Sequence, residues 1–146
     1  MATKSSNGST KKTYSYLGPV GTFTELALAQ VPEAKGANWH PAANVQEAID
    51  NILSGHSARA VIPIENSIEG GVSATLDALA ASEGIRIFGE YLVPVSFNLV
   101  ARPGVSIKDV LTVATHPVAY AQTHKWLAAN LAGHSYLPAT STAAAA

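Results

Sequence analysis

Glu65, Asn66 and Ser67 stand at the end of an apolar, β-branched run, Val61 to Ile64, and are followed by Gly70 and Gly71. A strand that delivers a carboxylate, an amide and a hydroxyl to one end, beside glycines that let backbone approach a ligand, suits a small polar molecule. Open α/β sheets place their ligands at such ends. Three further segments share this character: Gly18-Pro19-Val20-Gly21-Thr22, Thr115-His116-Pro117 and Thr140-Ser141-Thr142. Each puts hydroxyl, amide or glycine residues where a helix pattern begins, and free N–H groups at the positive end of a helix dipole favour anions. Ser, Thr and Asn are also ordinary helix caps, so no single junction identifies a site. Four such junctions in one short chain point to a shared one.

Other candidates carry less. The histidines are His40, His56, His116, His124 and His134, and none is paired at metal-ligand spacing. His116 precedes a proline and belongs with the junction backbone. His124 and Trp126 suit a helix surface and its packing, and Trp39 the core or a lobe surface. Ser67 lacks the G-x-S-x-G context of a nucleophile elbow. Gly18 and Gly21 form no dinucleotide fingerprint, and no P-loop is present.

The elements that must position these residues alternate between strand and helix, which indicates an α/β fold. Tyr14–Leu17 is expected as a strand ending at Gly18-Pro19. Residues 22–31 have amphipathic helical spacing, with Phe23, Leu26, Ala27 and Gln30 near one face. Asn44 can cap a second helix, Glu47 completing a capping box, with Val45, Ala48, Ile49, Ile52 and Leu53 apolar and Gly55 at its end. A strand over Arg59–Ile64 leads to the opening motif. A third helix over Val72–Ala81 is expected to turn Val72, Leu76 and Leu79 inward. Residues 85–101 are β-rich and interrupted by Gly89 and Pro94, so two strands or a crossing between lobes is expected. Ser106 can cap a short helix to Leu111. A strand over Thr112–Ala114, a helix from Pro117 to about Leu131, a break at Gly133 and a strand at Tyr136-Leu137 follow. Ser141 or Thr142 then opens a helix over Ala143–Ala146. No internal repeat is evident.

Composition bounds the function. The apolar fraction of 47% is ample for a core. The net charge is −1, but Lys4, Lys11 and Lys12 precede Tyr14, leaving six basic against ten acidic side chains over residues 14–146. No basic patch survives there, which argues against nucleic acid. There is no cysteine, hence no disulfide and no thiolate chemistry, a composition compatible with the cytoplasm. Residues 1–13 are polar, lack a signal-peptide core and are expected to form a disordered arm. No apolar run approaches the roughly 20 residues that span a membrane. The chain stops on four alanines without a C-cap, so it is expected to be a fragment of a longer protein.

The chain resembles the catalytic domain of prephenate dehydratase. The resemblance is carried by residues 16–23 (YLGPVGTF), residues 61–72 (VIPIENSIEGGV), Thr75-Leu76-Asp77, His116-Pro117 with Ala121-Gln122, and Ser141-Thr142-Ala143-Ala144. They occur in the family's order over residues 14–146. The resemblance implies two α/β lobes like type 2 periplasmic binding proteins, with the site in the cleft between them. Residues 14–95 would form the first lobe and 96–146 an incomplete second. It implies conversion of prephenate to phenylpyruvate, carbon dioxide and water in phenylalanine biosynthesis, with no cofactor or metal, in the cytoplasm, and a parent that is a homo-oligomer. Asn66 and Gln122 would contact substrate, with Glu65 as the third catalytic candidate, facing backbone donors or the leaving hydroxyl. Pro19, Gly21, Thr22, Ser67, Gly71, Thr115, His116, Ser141 and Thr142 would line the cleft.

The sequence also departs from the family. Thr115 stands where serine is common, and Val118 and Tyr120 replace the commoner Gln and Leu. The family's Thr-Arg-Phe motif, whose threonine is held essential, does not occur in these 146 residues, nor does the ACT regulatory domain. The chain alone is therefore expected to have little or no dehydratase activity. A different class of function remains open: a non-catalytic module of the same two-lobed fold that binds a small dicarboxylate.

Overall fold

The computed structural model describes residues 11–146. Most of the expected arm lies outside them, but Thr13, assigned to that arm, opens the first strand. A three-stranded parallel sheet is built from β1 (Thr13–Leu17), β2 (Asn38–Ala42) and β3 (Arg59–Val61), with β1 in the centre. Helices α1 (Phe23–Ala29) and α2 (Val45–Leu53) make the crossovers. Parallel strands need both faces covered, and β1 shows why its sequence is suited to that. Tyr14 and Tyr16 are buried on one face against Leu28, Val31 and Ala34. Ser15 points the other way and is fully buried, yet its hydroxyl lies 2.7 Å from that of Ser57 and accepts from Asn51 Nδ2 at 3.3 Å. A buried polar group so paired avoids the desolvation cost of an orphan.

Local rules explain the helix starts. Asn44 caps α2 by accepting the Glu47 N–H at 2.9 Å, and Glu47 reaches back to the Ala43 N–H at 2.9 Å, one residue earlier than the expected box. The α2 face of Val45 and Ile49 packs on Ala78 of α3 (Ser73–Ala81). Two expected helix faces are corrected. In α1 the buried residues are Ala27 and Leu28, whereas Leu26 is exposed. In α3 they are Thr75 and Ala78; Leu79 packs against the core as expected, whereas Leu76 is exposed. Both helices carry apolar residues nearly all round, so period alone does not select the face; the sheet and α2 do.

β3 is shorter than expected. Its ladder with β1 stops at Val61, opposite Tyr16. Pro63 has no N–H to continue it. Instead, Glu65–Asn66 (β4) and Gly70–Gly71 (β5) form a small antiparallel hairpin after the strand.

Residues 85–101 form no strand, against expectation. A strand needs a neighbour, and this segment hydrogen-bonds to no edge of the described sheets. It is pinned by side chains. Tyr91 packs on the Tyr14–Tyr16 core, and Phe97 meets Phe23 edge-on at 6.0 Å. Gln30 Nε2 donates to the Leu92 carbonyl at 3.1 Å, and Arg59 lies 4.9 Å over the Phe88 ring. The helix expected after Ser106 is only a 3-10 turn, Ile107–Asp109, because Val110 is already extended toward the next strand.

A second parallel pair, β6 (Thr112–Thr115) and β7 (Ser135–Pro138), is joined by α4 (Pro117–Asn130). Its core is Val113, Leu127 and Leu131. The last helix is α5 (Thr142–Ala145), capped by Ser141, which accepts the Ala144 N–H at 2.9 Å. No helix of the described residues is long and apolar enough to cross a membrane.

Candidate active site at the strand ends

Parallel strands put their C-terminal ends on one side, so the four junctions fall on two sheet edges. β1 and β3 deliver residues 18–22 and 65–71 to one edge; β6 and β7 deliver Thr115-His116 and Ser141-Thr142 to the other. The first junction meets the last: a Cβ built on Gly21 would lie 3.4 Å from the Ala143 Cβ. Gly21 has φ +85°, a conformation costly for any other residue. Thr115 and the segment after β7 are tied by the Ala139 N–H, which donates to the Thr115 carbonyl at 3.0 Å.

Asn66 is half-buried in the hairpin. Its Oδ1 accepts the Ile68 N–H at 2.9 Å. An N–H donor fixes which end of the amide faces the turn, so the Asn66 NH2 group faces away from it. The turn thus presents an uncharged double donor, held by its own backbone. Ser67 and Glu65 are exposed beside it, and neither side chain makes a hydrogen bond among the described residues. Gly70, at φ +84°, closes the turn. Gly71 faces the Leu76 side chain.

The first junction is largely self-satisfied. Thr22 donates to the Leu17 carbonyl at 3.1 Å and accepts the Glu25 N–H at 3.4 Å. The N–H of Gly21, a residue expected to line the cleft, donates to the Glu25 carboxylate. Glu25 also accepts from the Tyr16 hydroxyl at 3.4 Å. Burial first, then the Glu25 charge and hydrogen bond, push the Tyr16 phenol above its ordinary value. The Thr22-x-x-Glu25 spacing is itself a capping-box signal, and it foretells this use of the α1 start. Pro19 is exposed, after a cis Gly18–Pro19 bond.

On the opposite edge His116 is the N-cap of α4. Its Nδ1 accepts the Val118 N–H at 3.2 Å, so in the neutral ring the proton sits on Nε2, which makes His116 a second uncharged donor. The Thr115 and Thr142 hydroxyls and the Gln122 amide are half-buried and have no hydrogen-bond partner among the described residues. Asn66 and Gln122 are not hydrogen-bonded to each other. Tyr120 turns toward β7. It stacks on Tyr136 at 3.9 Å, and its hydroxyl lies 3.0 Å from His134 Nε2. Tyr136 in turn donates to the Thr115 carbonyl at 3.3 Å.

Two residues that shape the site escape a reading by spacing alone. Thr75 is buried in α3 and donates to the Pro63 carbonyl at 2.6 Å. Tyr136 was legible only as a strand residue. Among the described residues, no group of three or more His, Asp or Glu is placed to hold a metal ion. Of two open hollows of about 360 and 450 Å³, the second opens between the start of α2 and α3, beside the end of β2, and neither is lined by a predicted site residue.

Comparison with known proteins gives a consistent picture. The family model described as prephenate dehydratase matches residues 14–146. A prephenate dehydratase of Mycobacterium leprae is 43% identical over 139 residues, spanning 90% of this chain and 43% of the relative. One from Amycolatopsis methanolica is 46% identical over 131 residues, with 90% and 42% covered. The crystal structure of the Arthrobacter aurescens prephenate dehydratase in complex with L-Phe superposes with a TM-score of 0.84 at 50% identity, covering 92% of this chain and 44% of that one. That of Staphylococcus aureus gives 0.67 at 31% identity, with 92% and 49% covered. The chain therefore spans somewhat under half the length of these relatives.

Proposed function

Since this chain belongs to the prephenate dehydratase family, we propose that it supplies the substrate-holding walls of an enzyme that converts prephenate to phenylpyruvate. The single observation that carries this reading is the meeting of the two sheet edges, Gly21 against Ala143, at the ends where the family's residues cluster. Residues 14–95 and 96–146 would be the two lobes of a periplasmic-binding-protein-like fold, the second incomplete here. The enzyme would be a cytoplasmic homo-oligomer.

The reaction sets clear demands. The bond from the ring to its carboxylate breaks and carbon dioxide leaves. The electron pair enters the ring, the ring hydroxyl departs with a proton as water, and an aromatic ring results. The site must bind a dianion, assist the departing hydroxyl and exclude water. The Asn66 NH2, the Gln122 amide, the His116 Nε2–H and the hydroxyls of Thr115 and Ser67 are donors without negative charge, suited to both carboxylates. Pro19, Gly21, Thr22, Gly71, Ser141 and Thr142 complete the walls through backbone and caps. Glu65 would face the leaving hydroxyl rather than a carboxylate, where its charge would repel.

Turnover tests this directly. The 146-residue chain, which has no Thr-Arg-Phe, should form little or no phenylpyruvate. The chain extended through that motif should form it readily. Prephenate binding without turnover in the extended chain would overturn the lyase reading.

A further inference from the structure

We propose that Thr75 is a positioning residue for Asn66, its hydroxyl setting the angle at which the 65–71 hairpin leaves the first sheet. This rests on the reading of Asn66 as a substrate donor. Thr75 is 1% exposed, so its hydroxyl is stripped of water and must be bonded. It ignores the carbonyls of its own helix and donates to Pro63 at 2.6 Å. Pro63 is where the β3 ladder has already failed, so its carbonyl needs a partner from elsewhere. The next carbonyl, of Ile64, accepts the Val72 N–H at 2.9 Å. Two successive carbonyls are thus held by the start of α3, one through a side chain and one through backbone. Glu65 follows at once and pairs with Gly71, the residue before Val72. The hairpin is therefore hung between Thr75 and its own turn, and Asn66 is the strand residue that leads into that turn. A valine would fill the same space but leave the Pro63 carbonyl without its donor, Ile64 keeping only the Val72 N–H.

Amide hydrogen exchange on the 146-residue chain separates this from a mere packing role. In Thr75→Val the Ile68 and Val72 amides should exchange about tenfold faster, one buried hydrogen bond being lost locally. The Gly18 and Ser57 amides, bonded to Ala42 of β2 and Asn51 of α2, should be unchanged. Thr75→Ser should restore the wild-type pattern. In the chain extended through Thr-Arg-Phe, Thr75→Val should lower kcat by about tenfold to a hundredfold with KM moved far less, as misplacement of a donor does, and Thr75→Ser should recover it. Unchanged exchange at Ile68 and Val72, or an equal acceleration across the whole sheet, would overturn the proposal. An extended wild-type chain that forms no phenylpyruvate would instead overturn the reading of the site, and the exchange pattern would still decide whether Thr75 sets the hairpin.

Discussion

The two sheets hold their functional edges in different ways. The first has a core of its own: Tyr14, Tyr16, Leu28 and Ile49 are each no more than 2% exposed, with helices on both faces of β1. Its junctions are fixed by caps, by backbone and, at the hairpin, by the Thr75 hydroxyl. The second sheet has two strands and a core of three buried residues, while Leu111, Trp126 and Leu137 remain exposed. Its junction is fixed by a side-chain chain instead, from His134 through Tyr120 and Tyr136 to the Thr115 carbonyl. The lesson is that equivalent strand ends can be held by bulk burial or by a few directed contacts, and the two respond differently to substitution.

Core truncation is the harshest test of that contrast. Leu28→Ala removes a fully buried side chain from a site walled by Tyr14 and Tyr16, and should cost about 3 kcal/mol in urea unfolding. Leu127→Ala in the second core should cost less, since that core is open on one side and can collapse. Equal costs would break the comparison.

The next effect falls on function. Asn66→Asp keeps the oxygen that accepts the Ile68 N–H but exchanges the donor NH2 for a charged oxygen. In the chain extended through Thr-Arg-Phe it should lower kcat/KM by about a hundredfold, as loss of one preorganised donor does, with little change in stability. Gln122→Ala, on the second edge, should do the same. Wild-type turnover by either would remove that wall from the site.

Gly18→Ala probes the edge that backbone holds. Its added Cβ would lie 2.7 Å from the Pro41 Cβ, and the Gly18 N–H is already committed to the Ala42 carbonyl at 2.9 Å. Overpacking here should cost about 2 kcal/mol by thermal unfolding. Gly36→Ala has open space but a positive φ, so its cost would be conformational alone.

Tyr16 gives the first sheet a pH signature. Its phenol is held above the ordinary value of 10.0 by burial and then by Glu25. The folded state therefore keeps the proton more tightly than the unfolded chain. This stability is fully present below pH 10 and is lost as pH rises, by up to about 1.4 kcal/mol per pH unit. Tyr16→Phe should flatten the decline above pH 10 in unfolding titrations; an unaltered slope would contradict it.

Much of this was legible in the sequence. The strand-helix order, the Asn44 cap, the Pro117 start and the Ser141 start all follow from local rules, and the structure bears them out. Two kinds of feature were not. A strand's existence depends on a neighbour, so residues 85–101 carry strand propensity but form none. A helix's inward face depends on what it meets, so Leu26 and Leu76 have the right spacing and the wrong side. At the site, the four junctions and their residue types could be read. The Thr22 cap was signalled by its spacing to Glu25, but the internal use of Asn66 Oδ1 was not, because it depends on where Ile68 falls in space.

The smallest effect tests the directed contacts of the second sheet. Tyr136→Phe keeps the ring stacked on Tyr120 and removes only the hydroxyl on the Thr115 carbonyl. That carbonyl retains the Ala139 N–H, so the cost should be about 1 kcal/mol or less. Tyr120→Phe leaves the same stack but takes the donor from His134 Nε2, whose Nδ1 is already engaged with the Leu131 carbonyl at 2.7 Å. If the chain of contacts acts as one unit, the double variant should cost measurably less than the sum of the two, in a double-mutant cycle read by urea unfolding. Strict additivity would mean that each contact holds its own carbonyl or ring alone, and that the second edge is positioned residue by residue.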